Sequence, residues 1–114
     1  MRCKAGILAG IATAFLSTGD LRADDFTAAD VLEWERDSQD WYFQVSVTMA
    51  GVIAAQNESP QAECINDWYF SPAVDRNARN NEIRETMSKF SNYHPASVVI
   101  AAIERECGTL SFPN

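Results

Sequence analysis

The chain has 114 residues, 46% of them hydrophobic and 22% charged, and its formal net charge is −7 at pH 7. A chain of this length is enough for one small domain. Its acidic balance disfavours nucleic acid and anionic membrane surfaces, so we predict neither a nucleic-acid nor a membrane partner.

The first 23 residues have the layout of a secretory signal peptide. Arg2 and Lys4 form a basic start, an apolar run follows over 5–16, and Ala23 offers a small residue at the cleavage position. The apolar run is shorter than the roughly 20 residues that span a bilayer, although a retained N-terminal anchor is the alternative. We therefore predict a signal peptide over 1–23 and a single helical domain over 24–114, located in the periplasm or secreted.

The predicted domain carries fifteen acidic and six basic residues, a net charge of −9. It also contains two cysteines, Cys64 and Cys107. An even cysteine count in a short exported chain favours a disulfide. With 42 residues between them, such a bridge would contribute roughly 4 kcal/mol in the chain-entropy account. Two buried thiols are the alternative.

The domain opens with a short predicted helix over 28–36, because Thr27 followed by Asp30 is typical of a helix N-cap. A second helix is predicted over 39–56, ending at Asn57, which suits a left-handed exit. Its segment 41–55 is apolar on two stripes and would be hydrophobic nearly all round. We therefore expect this central helix to lie in the core, with Trp41, Met49 and Val52 inside.

Three prolines each follow a residue that can cap a helix. Ser59-Pro60, Ser71-Pro72 and His94-Pro95 predict helices over 60–69, 72–90 and 95–107, since proline is favoured at the first helical position. Gly108 would end the last of them. No stretch shows the sustained alternation of a half-buried strand. The predicted fold is all-α, a small bundle of about five helical segments around the central apolar helix, closed by one disulfide.

Residues for catalysis are scarce. His94 is the sole histidine, and its place before Pro95 favours a cap or loop role. With Cys64 and Cys107 committed to a bridge, no metal set of histidine and cysteine can be assembled, and no glycine-rich phosphate loop is present. We predict no enzyme activity, cofactor or metal. We therefore predict a protein-binding role, and a homodimer is one form that it could take.

Two groups of aromatic residues are candidate contacts for a protein partner. Trp68, Tyr69 and Phe70 follow one another in a helix that can bury only part of its circumference. They either close the core around the disulfide or anchor a partner, a role in which tryptophan and tyrosine often dominate the binding energy. Tyr93 and His94, at the turn before the last helix, form the second group.

The C-terminal segment resembles a known family. The run Tyr93-His-Pro-Ala-Ser-Val-Val-Ile-Ala-Ala-Ile-Glu-Arg-Glu-Cys107, preceded by a helix ending Met87-Ser-Lys-Phe90, resembles the closing segment of periplasmic immunity proteins of the Rap/Tai type. These proteins are short, exported, helical and disulfide-bearing, and they neutralise peptidoglycan amidases delivered by type VI secretion. The resemblance extends from Cys64 onward and implies an amidase as partner. Members often carry a further cysteine near the mature N-terminus, which this chain lacks.

A second resemblance is to HdeA-type acid-stress chaperones of the periplasm. It rests on size, on cysteine spacing and on the opening run Phe26-Thr-Ala-Ala-Asp-Val-Leu32. The sequence therefore predicts a small exported protein-binding module, first of all an immunity-type inhibitor of a peptidoglycan amidase. The alternatives are an HdeA-like chaperone and a structural or assembly protein of the periplasm.

Overall fold

A computed structural model describes residues 25–110, and within this range it contains helices and no β-strand. The helices are α1 (Ala28–Leu32), α2 (Arg36–Gln56), α3 (Gln61–Ile65), α4 (Arg76–Lys89) and α5 (Pro95–Cys107), and a π-helical segment over Asn66–Phe70 continues α3. The predicted all-α bundle of five helical segments is confirmed. The predicted signal peptide lies outside the described residues.

Helix α1 starts where the sequence predicts and ends early. Thr27 Oγ1 accepts a hydrogen bond from the Asp30 amide, and the Asp30 carboxylate accepts one from the Thr27 amide, so a capping box starts the helix. The Gln39 side-chain amide donates to the carbonyls of Leu32 and Trp34, at 3.1 and 3.0 Å. These bonds satisfy carbonyl oxygens at the end of α1, and the chain turns there, four residues before the predicted boundary.

Gln39 is buried and its hydrogen bonds are satisfied on both sides. Its oxygen accepts a 2.6 Å hydrogen bond from Arg84 Nε of α4, and the same guanidinium forms an ion pair with Asp40 of α2. Because one buried amide connects the end of α1, the start of α2 and the middle of α4, this network fixes how the first two helices meet.

Helix α2 buries one face only. Its residues Phe43, Val47, Ala50 and Ala54 are buried, at spacings of four, three and four, and α2 packs against α3 and α5. The opposite side is exposed, so the prediction that this helix is enclosed by core on all sides is wrong. The other helices pack on one side of α2, and none of them covers its outward stripe.

The three proline signals have different outcomes. His94 caps α5 through Nδ1, which accepts a 3.1 Å hydrogen bond from the Ala96 amide, with Pro95 at the first helical position as predicted. Helix α3 begins at Gln61, directly after Pro60. The predicted start at Ser71-Pro72 is wrong: Ser71 begins a single turn, closed by the Val74 amide donating to the Ser71 carbonyl, and Asp75 caps α4 by accepting from the Ala78 amide.

The disulfide joins α3 to the end of α5. Cys64 and Cys107 are bonded, with their Cα atoms 5.7 Å apart, which confirms the predicted pairing. Gly108 ends α5 with a φ of 86°, a left-handed conformation that suits glycine. Helix α5 therefore ends directly beside the bridge.

Candidate functional site

The predicted aromatic triplet contributes mainly to the core. Trp68 and Tyr69 are buried and Phe70 is half-buried. The Trp68 and Tyr69 rings therefore close the interior next to the disulfide, as one of the two sequence interpretations expects. They offer a partner no accessible surface in this conformation, and Phe70 keeps a partly exposed ring.

Two arginines of α4 stabilise this aromatic segment. Arg79 Nε donates to the Trp68 carbonyl at 2.7 Å, and Arg76 Nε donates to the Tyr69 carbonyl at 2.8 Å. The Arg76 guanidinium also lies 4.8 Å from the centre of the Tyr69 ring. These donors serve carbonyls that the wider π-helical turn leaves available, so the triplet is held by structural contacts on its α4 side.

Tyr69 and Asn80 form a buried polar pair. The Tyr69 hydroxyl donates to Asn80 Oδ1 at 2.6 Å, and both residues are buried. Burial raises the pKa of Tyr69 to about 12, although the nearby Arg76 charge acts in the opposite direction. The phenol therefore stays protonated and donates this hydrogen bond throughout the neutral range.

The second predicted group, Tyr93 and His94, consists of two residues with different roles in the structure. His94 is committed to capping α5, and its ring meets Phe26 edge-on with centroids 5.5 Å apart. Tyr93 is 58% exposed and packs edge-to-face on Phe90, which is exposed as well. Together with Ser97, Val98 and Ala101 these two rings line a shallow cleft of about 330 Å³. Of this predicted pair, Tyr93 alone is available as a contact surface.

The largest set of exposed apolar side chains lies on α2, where the sequence predicts core. Trp41 is 65% exposed, Met49 58% and Val52 47%, and Val45 between them is exposed too. We call these four residues the outer face of α2. At 3.6 residues per turn they lie opposite the buried stripe, and they extend over about 16 Å of helix. Contiguous exposed apolar surface of this kind marks interaction sites in many proteins.

The outer face is free of charge. No charged residue occurs between Trp41 and Asn57, and Thr48 is an exposed residue beside the apolar ones. Grooves extend the face at both ends: one leads to Ala62 and Phe70, and the other to Trp34 and Tyr42. One sequence signal could have predicted that this side of the helix is exposed. It is the presence there of three polar residues, Gln44, Thr48 and Gln56.

The molecule that carries this face is acidic. The described residues include fourteen carboxylates and six basic side chains. Five of the six basic side chains, all arginines, form hydrogen bonds with residues of the bundle: Arg36, Arg76, Arg79, Arg84 and Arg105. The protein thus presents an uncharged apolar stripe on an otherwise negative molecule, which favours partners with basic surfaces.

No group of three or more histidine, cysteine or acidic side chains in residues 25–110 is placed to hold a metal ion. In the same part of the chain, none of the helices has the length and apolar character needed to cross a bilayer.

No protein-family model, curated protein or solved structure matches this chain. The likeness of its C-terminal segment to Rap/Tai immunity proteins accordingly stays a prediction from sequence.

Proposed function

We propose that this protein is a small protein-binding module, not an enzyme, and that it inhibits a peptidoglycan amidase in the manner of an immunity protein. The observation that carries the binding role is the outer face of α2. Trp41, Val45, Met49 and Val52 place an uncharged apolar stripe in solvent, and such exposure is unfavourable for a protein whose surface has no partner.

The composition of the outer face suits a protein interface. Interfaces are enriched in aromatic residues and methionine and depleted of charge at their centres, and this stripe has Trp41 at one end, Met49 near the middle and no charged residue. The net negative charge of the molecule would steer association with a basic partner. Trp41 is the residue that we expect to contribute most to binding, because tryptophan is prominent among interface hot spots.

The amidase as target rests on the resemblance of residues 93–107 to the Rap/Tai proteins. The signal-peptide layout of residues 1–23 supports export to the periplasm, where such amidases act. The Cys64–Cys107 bridge fits an oxidising compartment. A bundle closed by a disulfide gives the outer face a rigid support, which reduces the conformational entropy lost on binding.

An HdeA-like chaperone is the second candidate, because an exposed apolar stripe could also hold unfolded clients. The two functions differ in the pH at which they operate. An immunity protein should bind its enzyme near pH 7, whereas an acid-stress chaperone should act at about pH 2–3, where the carboxylates are protonated.

The test compares both activities on the same preparation. We expect the oxidised protein to capture and inhibit a peptidoglycan amidase encoded beside its gene at about pH 7, and to give weak protection of an aggregating client enzyme at about pH 2–3. Strong protection in acid, with no binding of the amidase at neutral pH, would favour the chaperone and reject the inhibitor.

A further inference from the structure

The groove at the start of α2 differs chemically from the rest of the outer face. It is a cleft of about 500 Å³ lined by Trp34, Asp37, Ser38, Trp41, Tyr42 and Val45. We call it the Trp34–Trp41 cleft. Three of the six lining residues are aromatic and one is a carboxylate, whereas the middle of the outer face is aliphatic.

One wall of the cleft is held by aromatic packing. Phe26 stacks on Trp34 with ring centroids 5.9 Å apart, and Tyr42 meets Trp34 edge-on at 5.8 Å. Phe26 is held in turn by the ring of His94. Trp41, which is exposed, also lines the cleft. Because Trp34 and Tyr42 are positioned before any ligand arrives, binding there would cost little reorganisation.

Asp37 is the single charged residue that lines this cleft. Two neighbouring arginines bind other groups. Arg36 of α2 donates to Asn81 at 2.6 Å, and Arg84 of α4 binds Gln39 and Asp40. The ion pairs among residues 25–110 are Arg79–Glu82 and Arg84–Asp40. Within that part of the chain, the Asp37 carboxylate therefore has no cationic partner.

Aromatic faces and a carboxylate in one cleft are the groups that recognise a cation. The negative face of an indole attracts a guanidinium or ammonium group, and arginine also stacks well on tryptophan. A carboxylate within reach adds a charge-assisted hydrogen bond. The same lining would repel phosphate or carboxylate ligands, since Asp37 carries negative charge and no basic residue lines the cleft to offset it.

We propose that the Trp34–Trp41 cleft binds an arginine or lysine side chain of the protein partner, with the cation against the indole rings and beside Asp37. This inference rests on the proposed function, in which the outer face of α2 binds another protein, and it adds the chemistry of that partner. A second copy of this chain fits less well, because five of the six basic side chains in residues 25–110 already bind groups of their own bundle.

The test uses the oxidised protein and two small probes, N-acetyl-arginine amide and its neutral analogue N-acetyl-citrulline amide. The protein has three tryptophans, so NMR resolves three indole N–H signals, and that of the buried Trp68 serves as an internal reference. We expect the arginine probe to shift the Trp34 and Trp41 signals in a saturable manner. The citrulline probe should bind at least about threefold more weakly, as expected for an exposed cation–π contact.

Two matched variants test whether the Asp37 carboxylate contributes to binding of the arginine probe. Asp37→Asn should raise the Kd of the arginine probe at least about threefold. Asp67→Asn, the same change at an exposed aspartate that does not line the cleft, should leave the Kd unchanged. Equal binding of both probes, the absence of a saturable shift, or an unchanged Kd for Asp37→Asn would each overturn the proposal.

The outcomes separate this proposal from the proposed function. If the amidase binds at neutral pH while the arginine probe gives no saturable shift, the inhibitor role stands and the cation cleft is rejected. If the arginine probe binds and Asp37→Asn weakens it, but no amidase is captured, the cleft stands and the amidase is rejected as the partner.

Discussion

Val47 and Val52 lie five residues apart on α2 and have opposite environments: Val47 is fully buried, whereas Val52 is 47% exposed. The difference follows from the helical period, because five residues turn the helix by more than one turn and place the two side chains on different faces. Valine therefore lies in the core at one position of this helix and on the outer face at the other.

This pair gives a matched test of which side of α2 is the core. Val47→Asp should unfold the domain, because a buried charge without a partner costs several kcal/mol against a total stability of roughly 5–10 kcal/mol. Val52→Asp should change the free energy of unfolding by less than about 1 kcal/mol. Urea denaturation followed by circular dichroism measures both. Loss of the fold in Val52→Asp would mean that the outer face is covered in the native protein.

Part of this architecture can be predicted from sequence, and the reasons are local. Thr27 with Asp30, His94 with Pro95, and Gly108 each act within a turn of the chain, so their roles as caps follow from residue type. Cys64 and Cys107 are predictable because they are the only cysteines of the predicted domain.

The environment of α2 could not be predicted in the same way. Its apolar residues form two stripes, and apart from the polar residues Gln44, Thr48 and Gln56 beside the outer one, only the packing of the other helices decides which stripe is buried. Trp41, Met49 and Val52 differ little in hydrophobicity from buried Phe43 and Val47, so composition does not separate them. The π-helical turn at 66–70, which buries Trp68 and Tyr69, depends on arginines of α4 and leaves no local pattern.

A second prediction concerns the end of α2. The Ser59 amide donates to the Ala54 carbonyl and the Glu58 amide donates to the Ala55 carbonyl, which is a Schellman motif. Its left-handed residue is Glu58, with a φ of 54°, and not the predicted Asn57, whose φ is −94°. Glu58→Gly should therefore raise the free energy of unfolding by about 0.5–1 kcal/mol, because glycine adopts this conformation without strain.

The neighbouring residue provides the control. Asn57→Gly should destabilise the protein by a similar amount, since Asn57 has a negative φ and its side chain donates to the Ile53 carbonyl. Thermal melts of both variants would measure the effects. Destabilisation by Glu58→Gly would show that the left-handed residue lies elsewhere.

A third prediction concerns the bridge between α3 and α5. Replacing Cys64 and Cys107 together by alanine should lower the free energy of unfolding by about 2–4 kcal/mol, because the bridge spans 43 residues and restricts the unfolded chain. Urea titrations of the oxidised, reduced and double-alanine forms would measure it. Equal urea midpoints for the oxidised protein and the variant would contradict a stabilising role.

Tyr69 predicts a dependence of stability on alkaline pH. Burial raises its pKa to about 12 in the folded protein, against about 10 in an unfolded chain. A raised pKa in the folded state means that this contribution is fully present below about pH 10 and is lost as the pH rises towards 12. Stability should therefore fall over this range, and tyrosinate absorbance should show a late-ionising fraction that includes the Tyr69 phenol.

Tyr69→Phe removes that phenol and leaves the buried Asn80 without its hydrogen-bond donor. At pH 8 the variant should be about 1–3 kcal/mol less stable. Between pH 10 and 12 its stability should fall less steeply than that of the wild type, although the pKa of Tyr42, which burial also raises, contributes to the fall in both proteins. Identical slopes in this range would exclude Tyr69 as the group responsible.

In the proposed function, the outer face of α2 binds the partner enzyme. The most direct measurement is the Kd of the amidase at about pH 7 for the wild type, for Met49→Asp on that face and for Tyr93→Asp in the other exposed cleft. Met49→Asp should fold normally and weaken binding at least about 30-fold, the effect of losing 2 kcal/mol at a hot spot, while Tyr93→Asp should change the Kd by less than about threefold. Wild-type affinity in Met49→Asp together with loss of binding in Tyr93→Asp would contradict the claim and place the interface at Phe90 and Tyr93.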